Sequence, residues 1–138
     1  MKILSLFCFL LFIGTGVSSF AQCDSTATLA QGYMETPFIG DGQDYRALIF
    51  GDQVAEFRST FYANAEYRIV AVAGSVAQQL IFSLYDTENN LLFTNADHAN
   101  APYWNFNFNS TMTCKIEATL DNTKQNSGCA VLLIGFGR

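Results

Sequence analysis

The chain has 138 residues, half of them hydrophobic, and its 12 acidic side chains outnumber 7 basic ones for a net charge of −5. An acidic surface repels phosphate backbones and anionic headgroups, which argues against nucleic acid and charged membrane surfaces as partners. The length suits one domain with a sizeable core.

Residues 1–21 read as a secretion signal and not as part of the fold. Lys2 gives a positive n-region, Ile3–Ile13 an apolar stretch, and Ser19-Phe20-Ala21 a small-x-small cleavage site. The apolar stretch is shorter than the ~20 residues a membrane-spanning helix needs, and no second stretch reaches that length, so no transmembrane segment is expected. Residues 22–138 are then the mature single domain, with net charge −6 once Lys2 has left. Lipidation at Cys23 is the rival reading, although Gln22 and Phe20 suit a lipoprotein signal poorly. Either way the expected location is secreted or periplasmic.

Cys23–Gly32 (CDSTATLAQG) reads as one helical turn or a short helix, with Asp24 or Ser25 as N-cap and Gly32 as stop. Glu35–Asp44 carries Pro37, Gly40 and Gly42 and reads as a loop. Tyr45–Phe50 is the first expected strand and Val54–Tyr62 the second. Glu66–Ala73 follows after Ala63-Asn64-Ala65. A three-residue loop there would set Phe61 opposite Tyr67 and Ser59 opposite Ile69, so the pair is expected to form a hairpin.

Gln79–Tyr85 and Leu91–Asn95 flank the polar turn Asp86–Asn90. The clearest signal lies in 101–121. Trp104, Phe106 and Phe108 alternate with Asn105 and Asn107, and Met112–Leu120 alternates in the same way. Period two marks half-buried strands. Cys129–Phe136 is apolar on both faces and belongs at a sheet centre covered on both sides. Eight short strands without a long amphipathic helix give an all-β fold, a two-sheet antiparallel sandwich of jelly-roll type.

The segments EYRIVAVAG, LIFSLYDTENNLLF, WNFNFNSTMTCKIEATL and GCAVLLIGF, spanning Glu66–Phe136, carry a further signal. Their order resembles the small jelly-roll sandwiches appended to secreted bacterial peptidases, the bacterial pre-peptidase C-terminal type. It is also similar to small exported proteins of Bacteroidota with no assigned activity, whose signals often end in Ala-Gln. The resemblance implies a role in secretion or substrate contact.

Cys8 leaves with the signal, so Cys23, Cys114 and Cys129 meet an oxidising compartment, where a disulfide is expected. Cys114–Cys129 is favoured because both lie in strong strands near each other in sequence. A turn at Asn122–Ser127 would set Cys129 opposite Leu120, however, so Cys23 with either partner is the alternative. With no CxxC and no paired histidines, zinc is not expected.

Candidates for chemistry are sparse. His98 beside Asp97, with Asp86 elsewhere, is a candidate for half of a metal or acid–base site. There is no G-x-S-x-G. Asp41, Asp44, Asp86, Glu88 and Asp97 are loop carboxylates, and Asp41-Gly42-Gln43-Asp44 resembles a fragment of a Ca²⁺ loop without the bidentate Glu. Tyr45, Tyr62 and Tyr103 are expected to point outward, as rings suited to a protein surface or a sugar. Trp104, Phe106, Phe108, Phe57 and Phe61 are assigned to the core. The function expected is a non-catalytic binding module for a protein, envelope component or glycan. A carbohydrate-binding module, Ca²⁺-assisted through Asp41 and Asp44, is the alternative. A small hydrolase using His98 with loop carboxylates ranks third.

Overall fold

A computed structural model describes residues 19–137, so the expected leader lies outside the described residues except for its last three. One helix, α1 (Ser19–Gln31), precedes eight strands. They are β1 (Phe38–Phe50), β2 (Ala55–Phe61), β3 (Glu66–Ala73), β4 (Leu80–Tyr85), β5 (Leu91–Thr94), β6 (Tyr103–Asn107), β7 (Met112–Leu120) and β8 (Ser127–Gly137). A 3₁₀ turn, Asn95–His98, lies between β5 and β6.

Two antiparallel sheets of four strands stack as a sandwich, with orders β1-β8-β3-β6 and β2-β7-β4-β5. Only β4 and β5 are consecutive neighbours in one sheet; every other connection crosses to the opposite sheet, which is jelly-roll winding. The β4–β5 turn is held by Asp86, whose Oδ1 accepts from the backbone N–H of Glu88 and of Asn90, both at 2.9 Å.

The expected β2–β3 hairpin does not form. β2 pairs with β7, Phe57 opposite Ile116, and β3 pairs with β6 and β8. Matching the inward faces of two strands satisfies a crossover between sheets as well as a hairpin, because each strand presents one apolar face to the same core. Tyr62 lies just past the end of β2.

The core between the sheets holds Phe61, Ile69, Phe82, Leu84, Ile116 and Leu132, each at most 1 % exposed. Burying such a side chain contributes roughly 1.5–3 kcal/mol. Of the aromatics expected inside, only Phe61 is fully buried. Phe57, Trp104, Phe106 and Phe108 pack on the core but stay partly exposed, because β2 and β6 are edge strands whose inner faces open to solvent at the rim.

β8 is central and covered on both faces, as its composition requires. Ala130, Leu132 and Ile134 face the core, while Cys129, Val131 and Leu133 pack under α1 with Val70 and Val72. The helix is longer than the expected turn: among the described residues it covers Ser19–Gln31, and Gly32 ends it. Asp24 lies within it, not at a cap, and its carboxylate pairs with Arg46 at 2.7 Å.

The disulfide is Cys23–Cys129, not Cys114–Cys129. Cys129 faces outward from one sheet toward α1, whereas Cys114 faces the core from the other sheet, fully buried and unpaired. The two sulfurs therefore lie on opposite sides of β8. Burial pushes the Cys114 thiol pKa up.

The expected loop Glu35–Asp44 is mostly strand. Phe38–Gly40 pairs with Gly137–Gly135, the register breaks at Asp41–Gln43, and pairing resumes at Asp44 opposite Leu133. The glycines and aspartates that suggested a loop instead build a bulge, and Gly42 takes φ 87° there. No described helix is long and apolar enough to cross a membrane.

Candidate functional site

The two sheets part where β5 and β6 form their edges. Between them lies a cleft of about 400 Å³ lined by Leu92, Phe93, Trp104, Phe106, Phe108 and Met112, with Asn107, Asn109 and Ser110 at the mouth. A second hollow, about 520 Å³, runs along Ala101–Asn105 and shares Trp104 with the first.

The strand period puts these rings here. Trp104 and Phe106 alternate with Tyr103, Asn105 and Asn107, so the inner face of β6 is aromatic and the outer face carries one tyrosine and two amides. Phe93 of β5 meets them from the facing sheet, its ring centroid 5.2 Å from Trp104 and 5.0 Å from Phe106. Phe108 continues the row and stacks on Phe61 at 4.7 Å.

His98 packs on the end of the ring row. Its ring lies parallel to Phe93 at 5.5 Å and 4.1 Å from Trp104. It is stacked on Phe93 and tilted against Trp104. The 3₁₀ turn bearing it is fixed by Asn95, a fully buried side chain. Asn95 Oδ1 accepts from Phe82 N–H at 2.8 Å, and its Nδ2 donates to the carbonyls of Leu80 at 2.9 Å and Ala101 at 3.0 Å. One amide thus ties the β4 strand to both ends of the 95–101 segment.

The three tyrosines do not converge. Tyr45 points inward on β1, edge-on to Phe57 at 5.9 Å, because its parity matches buried Ile49. Its hydroxyl donates to Asp41 at 3.2 Å, and burial together with that carboxylate raises its pKa. Tyr62 is outward and 63 % exposed. Tyr103 lies on the outer face of β6, where the Arg68 guanidinium sits between its ring (4.4 Å) and that of Phe38 (4.3 Å). Arg68 also donates to Asn105 Oδ1 and to the Tyr33 carbonyl.

Asp41 and Asp44 are spent locally. Asp41 accepts from Gln43 N–H at 2.9 Å and from Tyr45, and Asp44 pairs with Arg46 at 2.7 Å. Among the described residues no three His, Cys, Asp or Glu side chains stand close enough to hold a metal ion.

Sequence reasoning found Trp104, Phe106 and Phe108 but placed them in the core; their Asn neighbours were the available sign of an edge strand. It missed Leu92, Phe93 and Asn95. The partner that makes each of them part of the site lies in another strand or loop, which no local period reveals. Neither a protein-family model nor a curated protein sequence matches this chain.

Proposed function

We propose that the protein is an exported, non-catalytic binding module that takes its ligand at the open edge of the sandwich. The observation that carries this reading is the cleft between β5 and β6, where four aromatic rings of a jelly roll stay partly exposed and share a border with amide side chains. A domain of this size normally buries such rings; leaving them at a concave rim is the pattern of a recognition surface. Export is supported by the leader pattern of residues 1–21 and by the Cys23–Cys129 disulfide.

The partner proposed is a protein or other envelope component. In-cell crosslinking of the tagged protein, followed by mass spectrometry, tests this. A single stoichiometric partner is expected, lost when Phe106→Ser disrupts the cleft and retained with Tyr62→Ala. Clean recovery of the monomer with no partner would count against the reading.

A carbohydrate-binding module is the second reading, favoured by Trp104 beside Asn107 and Asn109 at the cleft mouth. Ring faces stack on sugar C–H groups while amides bond hydroxyls. A glycan array that stays blank with and without Ca²⁺ would remove it.

A further inference from the structure

We infer that the free edge of β6 accepts an uncharged, extended peptide segment of a partner protein, which adds to the β1-β8-β3-β6 sheet as a fifth strand. This rests on the binding-module reading above and names the kind of partner.

The sandwich has four edge strands, and three are blunted against further pairing. β1 breaks its register at a bulge carrying Asp41 and Asp44. β2 presents the charged pair Glu56 and Arg58. β5 is four residues long and its register shifts opposite Leu84 and Tyr85. β6 has none of these devices: Tyr103–Asn107 pairs with Val70–Glu66 in unbroken register and carries no charged residue.

Its backbone is poised for a partner. Ala71 N–H donates to the Pro102 carbonyl at 2.8 Å and Asn64 N–H to the Phe108 carbonyl at 3.0 Å, so even-numbered residues of this segment face β3. Antiparallel strands turn alternate residues to alternate sides. The N–H and C=O groups of Tyr103, Asn105 and Asn107 therefore face away from β3, toward the side where β6 has no neighbouring strand. Beside that edge run the two hollows, apolar toward Leu92 and Phe93. An added strand would send alternate side chains into this trough and the others to water, the mode of β-strand addition. Charge selects the segment. The two hollows are lined by apolar and amide side chains, with Arg68 held on the outer face against Tyr103 and Asn105, so a charged side chain entering the trough would be desolvated with no partner there.

The test titrates the exported, oxidised protein with a labelled peptide of roughly seven alternating Thr and Val residues, a usual strand length. An analogue N-methylated at alternate residues and cellohexaose serve as comparators. Expected is binding below roughly millimolar Kd, with amide exchange slowed at Tyr103, Asn105 and Asn107. The N-methylated analogue should bind about tenfold or more weakly, the loss for a missing backbone hydrogen bond. Asn107→Pro, which removes an outward N–H, and Asn107→Lys, which charges the edge, should each weaken binding to a similar degree; the second serves if the first does not fold. No peptide binding, equal binding of the N-methylated analogue, protection confined to other strands, or the same protection from cellohexaose would each overturn the inference. A crosslinked cellular partner that persists in Asn107→Lys would overturn the edge while leaving the binding-module reading in place. Absence of any partner in cells would instead strike at that reading.

Discussion

Phe61 and Tyr67 meet edge to face, ring centroids 5.0 Å apart and planes at 84°, with Phe61 closing one sheet and Tyr67 opening the other. The Tyr67 hydroxyl reaches back across the corner and accepts the Tyr62 N–H at 3.0 Å. Phe108 packs against both rings. The β2–β3 crossover is therefore fixed by an aromatic cluster and one hydrogen bond from backbone to side chain, and Phe108 of that cluster also lines the β5–β6 cleft.

Removing the hydroxyl alone should isolate the polar part of this corner. Tyr67→Phe keeps the ring and leaves the Tyr62 N–H, at an exposed residue, to water. The expected loss is about 1 kcal/mol, the net worth of one such bond. Phe61→Ala removes a fully buried ring and should cost roughly 3–5 kcal/mol. Urea unfolding of both variants checks the contrast; equal losses would mean that the hydroxyl carries more of the corner than its single bond indicates.

The Cys23–Cys129 bridge closes a loop of sequence separation 106 and clamps α1 onto Val70, Val131 and Leu133. On chain entropy a loop of this length is worth up to about 4.7 kcal/mol. Paired Cys23→Ser and Cys129→Ser changes should lower the urea midpoint accordingly, while Cys114→Ala leaves the bridge intact. In the oxidised mature domain, Ellman's reagent should label the one remaining thiol, Cys114, only after unfolding, because it is fully buried. Rapid labelling of the native protein would contradict that placement.

The two-sheet class, all eight strands and the central position of β8 are legible in the alternation of residues such as Met112–Leu120 and in the two-sided apolar run Val131–Ile134. The pairing is not. Phe61 and Tyr67 face one core whether their strands lie side by side or in opposite sheets, so face-matching cannot distinguish a hairpin from a crossover. Cys114 and Cys129 both sit in strong strands, but which face each takes depends on sheet membership, and that separates them. The site was legible as aromatic residues and not as a cleft: exposure of Trp104 and Phe106 follows from β6 ending a sheet, which is a property of the whole fold.

Two carboxylates should give folding an acid dependence. Asp86 is held below its ordinary value of 3.8 by the side chain and then the backbone of Asn90, and Asp121 is lowered first by the Thr123 hydroxyl and N–H, then by Asn100 and Lys124. A depressed folded-state pKa adds stability above the unfolded value, and that stability is lost as pH falls through the folded one. The urea midpoint should therefore drop on acidification below the ordinary 3.8. Asp86→Asn and Asp121→Asn should each flatten that drop. A midpoint with the same pH slope in both variants would assign the acid sensitivity elsewhere.

Asn95 ties the 95–101 segment, which leads into β6 and the cleft, to β4. Its amide is fully buried and makes three hydrogen bonds to backbone groups of Phe82, Leu80 and Ala101. Asn95→Leu would fill much of the same volume but strand all three groups, each unmade bond costing roughly 1–3 kcal/mol. The expected loss is about 3 kcal/mol or more, with loosening concentrated in the 95–101 segment, since that is what the amide ties to β4. His98 would then lose its fixed contact with Trp104, and Trp104 emission should shift to the red while the protein is still folded. Asn95→Asp retains the acceptor for Phe82 N–H but sets a carboxylate against two carbonyls, so it should be no better tolerated. Amide exchange across residues 95–103 of a stabilised background reads the local effect directly. Uniform destabilisation with unchanged Trp104 emission below the unfolding transition would show that Asn95 supports the core alone and not the cleft wall.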